Sequence, residues 1–240
     1  MKIPESVERG MDRIKSGEIV LIYDSADREG ETDLVMPASA VTPRDVAYYR
    51  NEGGGLICVA IHPVAADKLG LPLISDILRS VSGEFSGIRR MVEEEGDISY
   101  DNHSSFSLWV NHRDTFTGIT DTDRALTIEG IGQSVTKALN GKFYDFCTEF
   151  RTPGHVSILK AADRLLDERR GQTELSVVLA LLAGISPAMA ICEMLDNESG
   201  RALSKEDAVA FASERDTVFI EGKDIVEAYQ TVRSIHPPGI

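Results

Sequence analysis

The sequence contains no apolar segment long enough to cross a membrane. A spanning helix needs about 18 consecutive apolar residues, and the strongest candidate, 177–185, is far shorter. The N-terminal residues alternate in charge and lack the apolar stretch of a signal peptide. Cysteine is also scarce, because Cys58, Cys147 and Cys192 form an odd set without a CxxC pair. These absences argue against a disulfide scaffold and predict a protein of the reducing cytoplasm.

Positive charge is the second deficiency. The 240 residues include 39 Asp and Glu against 25 Lys and Arg, so the formal net charge is −14. A surface of this sign repels nucleic acid and anionic lipid, and no stripe of Lys and Arg interleaved with aromatic residues compensates for it. We therefore expect neither a nucleic-acid partner nor a membrane partner. A small anionic substrate remains compatible with a few clustered arginines.

Several well-known functional motifs are missing. There is no P-loop, no HExxH and no GxSxG. Gly130-Ile131-Gly132 lacks the third glycine of a dinucleotide fingerprint, and Asp121-Thr122-Asp123 is followed by Leu126 where a calcium loop needs glycine. The sequence thus gives no support to nucleotide-binding, zinc-protease, serine-hydrolase or EF-hand chemistry, and no organic cofactor is expected.

What the sequence does contain is typical of one globular domain of mixed α and β structure over 1–240. The hydrophobic fraction of 42% is ample for a core, and neither a repeat nor a Pro/Gly/Ser linker divides the chain. Short apolar runs alternate with helical periodicity, and 79–102 is expected to be a long connecting excursion. The predicted strands are 18–23, 34–37, 56–61, 104–110, 156–160, 188–194 and 217–220. The predicted helices are 5–15, 42–51, 63–69, 122–139, 173–183, 204–212 and 222–232.

The segment 27–33, Asp-Arg-Glu-Gly-Glu-Thr-Asp, directly follows a predicted buried strand. In an extended backbone, residues two apart share a side, so Glu29, Glu31 and Asp33 would converge while Arg28 would face away. Three converging carboxylates repel one another unless a cation lies between them, and Mg²⁺ prefers such oxygen ligands. The alternative is a solvated acidic turn.

Four further features are candidates for chemistry. Glu193 ends a strand that is otherwise apolar, and a desolvated carboxylate is a good general acid or base. His155 follows a rigid turn and Cys58 lies within a buried strand, although a structural histidine and an inert thiol are the commoner outcomes. The segment 169–174 places arginine, backbone N–H groups and Thr173 at a helix start. That arrangement fits either a phosphate site or an ordinary helix cap.

Together these segments carry a family resemblance. The order of YDSADREGETD, GGGLICVAI, TGITDTDRA, TPGHVSIL, RRGQTEL and AICEML resembles 3,4-dihydroxy-2-butanone 4-phosphate synthases, and MLDNESGRALSKEDAVAFA resembles the archaeal single-domain form. The resemblance extends from about Glu5 to Tyr229. It implies an α+β fold, with helices packed on a single mixed sheet, and a homodimer with sites at the subunit interface.

The resemblance also implies an activity. The family converts D-ribulose 5-phosphate into L-3,4-dihydroxy-2-butanone 4-phosphate and formate in riboflavin biosynthesis, using Mg²⁺ or Mn²⁺. The implied catalytic residues are Glu31, Asp33, Cys58, His155 and Glu193. The implied substrate-binding residues are Arg28, Glu29, Asp33, Thr117, Arg169, Thr173 and Glu193. Glu29 is also the implied metal ligand.

One position departs from the family pattern. Gln172 occupies the place where the family has the histidine that completes the metal site. An amide oxygen can ligate Mg²⁺, but it is neutral and cannot act as an imidazole. Two alternatives therefore stand beside the lyase: a catalytically impaired homologue that only binds sugar phosphate, and a metal-dependent sugar-phosphate isomerase.

Overall fold

The computed structural model describes residues 2–141 and 144–235, and its described strands form one mixed sheet. The strands are β1 (Val20–Tyr23), β2 (Thr32–Pro37), β3 (Cys58–Ile61), β4 (Phe106–His112), β5 (Phe150–Lys160), β6 (Ala188–Glu193) and β7 (Phe219–Glu221). Their spatial order is β4-β5-β3-β6-β2-β1-β7. Parallel pairing joins β3 to β5 and β1 to β7, whereas the other neighbours are antiparallel.

Helices cover both faces of this sheet. They are α1 (Glu5–Lys15), α2 (Pro43–Glu52), α3 (Pro63–Leu69), α4 (Ile74–Ser80), α5 (Asp121–Leu139), α6 (Phe146–Glu149), α7 (Gln172–Ala183), α8 (Lys205–Glu214) and α9 (Gly222–Ile235). One core packs α2, α3 and α5 on the sheet, with Ile128 and Tyr49 fully buried. The other packs α1, α7 and α9 on the opposite face. The predicted fold, a mixed sheet covered by helices, is confirmed.

The capping signals explain where two of the helices begin. At α2, Thr42 and Asp45 form a reciprocal capping box and Pro43 occupies the first turn, as the sequence predicted. At α5, the Thr120 hydroxyl accepts the Asp123 N–H at 3.1 Å, so the helix begins one residue before the prediction. No helix within 2–141 or 144–235 is long and apolar enough to cross a membrane.

The structure differs from the sequence prediction around the acidic segment and in the excursion. Strand β2 begins at Thr32, not at residue 34, because Thr32 and Asp33 pair with Tyr23 and Ile22 of β1 despite their polar side chains. The excursion contains the end of α4 and a 3-10 helix, Gly83–Met91, in which no residue is buried. Phe85, Ile88 and Met91 recur every third residue along this short helix, but all three side chains are exposed.

Candidate active site

A cavity of about 280 Å³ lies where the ends of β2, β3 and β6 meet the start of α7. The chain from residue 98 to residue 106 forms its opposite wall. Eight residues proposed from the sequence line it: Glu29, Glu31, Asp33, Cys58, Arg169, Gln172, Thr173 and Glu193. Four separate segments of the chain, 29–33, 58, 169–173 and 193, contribute these side chains, so the fold brings together residues that are far apart in the sequence.

Strand register places three of these side chains on one face of the sheet. Asp33 of β2 pairs with Glu193 of β6, and Cys58 of β3 pairs with Ile191, two residues before Glu193. Residues paired across strands share a face, as do residues two apart along a strand. Asp33, Glu193 and Cys58 therefore point into the same cavity.

Asp24 shapes the acidic turn between β1 and β2. Its carboxylate is fully buried and accepts the backbone N–H of Glu29 at 3.0 Å and that of Glu31 at 3.1 Å. Gly30 has φ +69°, a left-handed conformation that glycine adopts without strain. The backbone is therefore a tight turn at Glu29, not the extended chain predicted from the sequence, although both glutamates still reach the cavity.

Arg28 lies beside the cavity, contrary to the expectation that it faces away. Its Nη1 is 3.1 Å from Glu29 Oε1 and 3.4 Å from Asp24 Oδ2, and its side chain is only 10% exposed. The extended geometry was the wrong premise, because the Asp24-centred turn rotates Arg28 to the same side as Glu29. Arg28 also forms a hydrogen-bonded ion pair with Asp101.

The cavity carboxylates have raised pKa values. Asp33 is buried, and no described residue donates a hydrogen bond to either of its side-chain oxygens. Burial raises the pKa of Asp33 well above its ordinary value, and the negative charge of Glu193 adds to the effect. Desolvation likewise raises the pKa values of Glu29, Glu31 and Glu193. Burial in the cavity therefore favours the protonated form of each of these groups relative to a carboxyl group in water.

Cys58 is a buried thiol at the bottom of this face. It is 2% exposed, and burial raises its pKa well above the ordinary value, with the charge of Glu193 acting in the same direction. Nucleophilic cysteines need a lowered pKa to populate the thiolate. Cys58 is thus a neutral thiol in this environment, able to donate or relay a proton but not suited to nucleophilic attack.

The start of α7 supplies Gln172 and Thr173. The Gln172 Nε2 group donates to the carbonyl oxygens of Ile22 and Glu31, each at 3.0 Å. These two acceptors fix the amide orientation, and the buried Oε1 atom has no partner among the described residues. Gln172 therefore presents a free amide oxygen at the cavity wall.

Arg169 is held in place by Glu174, one turn into α7. Glu174 is fully buried, and its carboxylate accepts from Arg169 Nη1 at 2.8 Å and from the backbone N–H groups of Ala162 and Gly171. The guanidinium group also donates from Nε to Asp101 at 2.6 Å. The sequence pattern indicated a helix start at this place but did not identify Glu174 as the residue that orients the arginine.

The donor set fits a hard divalent cation. Glu29 contributes a carboxylate that is 21% exposed at the cavity, and Gln172 contributes its unpartnered oxygen. Within the described ranges, no three His, Cys, Asp or Glu side chains are arranged to hold one ion. Mg²⁺ is commonly bound through only one or two carboxylates, with water and substrate oxygens completing its octahedron. One carboxylate and one amide oxygen match that mode of binding.

Three predicted residues are not among those that line the cavity: Arg28, which lies beside it, and Thr117 and His155. His155 is exposed and lies on β5, where its backbone N–H donates to Asn111 Oδ1 at 2.8 Å. Thr117 is in the loop before α5, and its backbone N–H donates to Asp123 Oδ2 at 3.1 Å.

Sequence reasoning missed Asp24, Asp101 and Glu174. Asp24 follows an apolar strand and Glu174 lies in a recognised helix-start pattern, so position within a motif was an available signal for both. Asp101 lies in the irregular excursion, where no periodicity distinguishes it from the neighbouring acidic residues. Only the fold shows that it contacts two arginines.

Comparisons with known proteins show the family of this chain. A family model for 3,4-dihydroxy-2-butanone 4-phosphate synthase matches residues 8–228. A synthase of that name from Archaeoglobus fulgidus is 58% identical over 228 residues, covering 95% of each chain.

Solved structures give the same result. The Candida albicans synthase structure is similar with a TM-score of 0.71 at 28% identity, covering 94% of this chain and 98% of that one. A synthase structure in complex with two magnesium ions has a TM-score of 0.68 at 27% identity, covering 93% and 94%. The chain belongs to the 3,4-dihydroxy-2-butanone 4-phosphate synthase family of enzymes.

Proposed function

We propose that this enzyme converts D-ribulose 5-phosphate into L-3,4-dihydroxy-2-butanone 4-phosphate and formate, as a divalent-cation-dependent lyase of riboflavin biosynthesis. The observation that carries the proposal is the convergence of eight expected site residues on one cavity. The cavity combines a cationic end, at Arg169, with a cluster of carboxylates whose pKa values are raised. A phosphate-bearing, enolisable sugar matches both ends.

Arg169 and Thr173 are assigned to the substrate phosphate. Both line the cavity; Arg169 lies just before α7 and Thr173 in its first turn, where the helix N-terminus also favours an anion. Glu174 holds the guanidinium group in one orientation, so the phosphate would fix the reacting carbons relative to the carboxylates. Positioning of this kind contributes several kcal/mol to a typical rate enhancement, on the order of 7–11 for ideal cases.

The carboxylates and the thiol are assigned to proton transfer. Asp33 is the most deeply buried of the group, and burial raises its pKa well above the ordinary value, so it is assigned as the donor to a departing hydroxyl. Glu193 and Glu31 are partly exposed at the cavity and accept protons from substrate carbon and oxygen atoms. Cys58, as a neutral thiol beside them, relays a proton without forming a covalent intermediate.

Glu29 and the Gln172 amide oxygen are assigned to Mg²⁺, with Mn²⁺ as an effective replacement. When bound, such an ion polarises the substrate ketone and makes the adjacent C–H more acidic. Gln172 can fill this role because two backbone carbonyls already bind its Nε2 and leave Oε1 free. Gln172→His tests the assignment through Mn²⁺ affinity, measured by electron paramagnetic resonance on the protein without substrate.

We also propose that the enzyme is a homodimer in which His155 and Thr117 of one subunit complete the cavity of the other. Neither residue lines the cavity of its own chain. The surrounding surface is unusually apolar: Phe116 is 92% exposed, and Ile119 and Trp109 are also exposed. Exposed apolar patches of this type mark subunit contacts.

The cellular location of the enzyme is proposed to be the cytoplasm, consistent with the free cysteines 58, 147 and 192.

Product analysis tests the reaction. The purified protein is incubated with ribulose 5-phosphate and Mg²⁺, and formate and the four-carbon phosphate are followed by NMR. We expect both products in equal amounts. A five-carbon aldose or ketose phosphate would instead establish an isomerase. Absence of any product from both the wild type and Gln172→His would refute the lyase, and recovery only in Gln172→His would identify an impaired homologue.

Subunit complementation tests the shared site. His155→Ala and Glu193→Gln are each expected to be inactive, because each removes one half of every site. Mixing them through a dissociation and reassembly step creates hybrid dimers with one intact site, which returns about a quarter of wild-type activity for random pairing in a two-fold dimer. No recovery, with hybrid dimers verified by native mass spectrometry, would show that His155 does not act across the interface.

A further inference from the structure

Asp101 bridges two arginines beside the cavity. Its Oδ2 accepts hydrogen bonds from Arg28 Nη2 and from Arg169 Nε, the latter at 2.6 Å. The side chains of the three residues are each only 10–11% exposed. Although burial raises the pKa of Asp101, the two guanidinium groups outweigh it and hold the pKa below its ordinary value. Asp101 is therefore an anion shared between two cations, and the proposed reaction assigns it no role.

The two guanidinium groups are brought together by the turn before α7. A Cβ atom added at Gly171 would lie 2.5 Å from Arg169 Nη1 and 2.8 Å from Arg28 Nη2, so both groups pack against a bare backbone. One oxygen that accepts from two guanidinium groups reproduces the way such groups bind a phosphate oxygen. The Asp101 carboxylate thus occupies a position with the chemistry of an anion subsite.

Asp101 belongs to the irregular excursion and not to the sheet. It lies between the 3-10 helix 83–91 and β4, and its neighbour Tyr100 covers Arg28, with the guanidinium carbon 5.5 Å from the ring centre. Ile98, Tyr100 and His103 on either side of it line the cavity. A displacement of Asp101 would therefore move one wall of the cavity and uncover Arg28.

We propose that Arg28 and Arg169 form an anion subsite whose resident occupant is Asp101, and that the substrate phosphate displaces this carboxylate when it binds. The proposal rests on the proposed function only in taking the ligand to be a sugar phosphate. A phosphate dianion offers three oxygens and twice the charge, so it outcompetes the tethered carboxylate. A monoanion such as formate does not displace the Asp101 carboxylate. Asp101 is thereby a specificity-determining residue that favours doubly charged substrates.

Binding of inorganic phosphate to the full chain tests the competition. By isothermal titration calorimetry, Asp101→Asn is expected to bind phosphate about tenfold more tightly than the wild type, since the amide keeps the shape but loses the charge. Asp97→Asn is the matched control, because Asp97 is an exposed residue of the same segment and its replacement changes the net charge equally. Its affinity should stay within about twofold of the wild type. Equal or weaker binding by Asp101→Asn would overturn the proposal.

Hydrogen exchange on the wild-type protein gives a second test that needs no variant. Phosphate should accelerate backbone exchange over residues 98–104, because displaced Asp101 no longer holds the segment on the arginines. Unchanged or slower exchange there, at saturating phosphate, would contradict displacement. Neither measurement involves turnover. A protein that passes both tests yet releases no formate would refute the proposed reaction while leaving the role of Asp101 intact.

Discussion

The carboxylates of the cavity and those at the start of α5 are the same chemical groups in opposite surroundings. Asp123 accepts the backbone N–H groups of Phe116, Thr117 and Gly118, and the bond from Gly118 is the main cause of its lowered pKa. Asp33 is buried and accepts no hydrogen bond from any described residue, and its pKa is raised. Burial without hydrogen-bond donors at Asp33, and backbone donors at Asp123, which is not buried, distinguish the two.

The difference indicates which carboxylates are available for chemistry. A carboxylate saturated with backbone donors is an anion that stabilises a loop, whereas one without donors in a cavity can exchange protons with a ligand. Asp24 is informative because it lies next to the cavity yet belongs to the first kind, with two backbone N–H donors and Arg28 as partners. Proximity to the site alone would have misassigned it.

The largest effect on turnover is expected at Glu193, a cavity carboxylate that we assign to proton transfer. Glu193→Gln should lower kcat by about 10³-fold, since an amide cannot take up a proton at neutral pH. Formate release measured by NMR checks the loss, and circular dichroism checks the fold. Glu198→Gln, an exposed neighbour in the loop after β6, is the matched control and should retain full activity. Near-normal turnover by Glu193→Gln would remove it from the mechanism.

The second largest effect is expected at Asp24, the carboxylate that shapes the turn beside the cavity. Asp24→Ala should lower kcat/KM by about 10²-fold, because the turn that carries Arg28 and Glu29 loses its central acceptor. Asp27→Ala, on the exposed side of the same turn, should be close to wild type. Steady-state kinetics give kcat/KM for both variants. Equal values for Asp24→Ala and Asp27→Ala would show that the turn keeps its shape without Asp24.

A smaller effect concerns the pH dependence of the free energy of unfolding, which has opposite signs at Asp33 and at Asp123. Because the pKa of Asp33 is higher in the folded than in the unfolded state, ionisation destabilises the fold as pH rises from the ordinary carboxyl range through the raised value. Asp33→Asn should therefore increase the free energy of unfolding by about 1 kcal/mol at pH 8. The gain should vanish near pH 4. Urea unfolding in EDTA measures it, and a loss of stability at pH 8 would contradict the argument.

The smallest expected effect is the mirror image at Asp123. Its pKa is lowered in the fold, so its stabilising contribution is present above the ordinary carboxyl pKa and disappears as pH falls through the lowered value. Asp123→Asn should unfold at lower urea concentration than wild type at pH 7, and the two curves should converge toward pH 3. Parallel curves at every pH would assign the loss to packing and not to the charge.

Most of the fold could be predicted because its signals are local. The seven strands follow from short apolar runs, and the start of α2 follows from Thr42 and Pro43. The 3-10 helix 83–91 escaped prediction because it buries nothing, and β2 was expected too short because Thr32 and Asp33 are polar. At β2, strand pairing and not local preference sets the structure.

For the site, patterns and family resemblance in the sequence were enough to indicate residues that meet at the cavity, namely the acidic segment, Cys58, the Arg169 turn and Glu193. Only the tertiary structure decided their geometry. It turned Arg28 toward the cavity, directed Asp101 onto both arginines, and left His155 outside the cavity of its own chain. The physical reason is that hydrogen bonds and burial join groups far apart along the chain, so their effect on orientation and pKa exists only once the strands are paired.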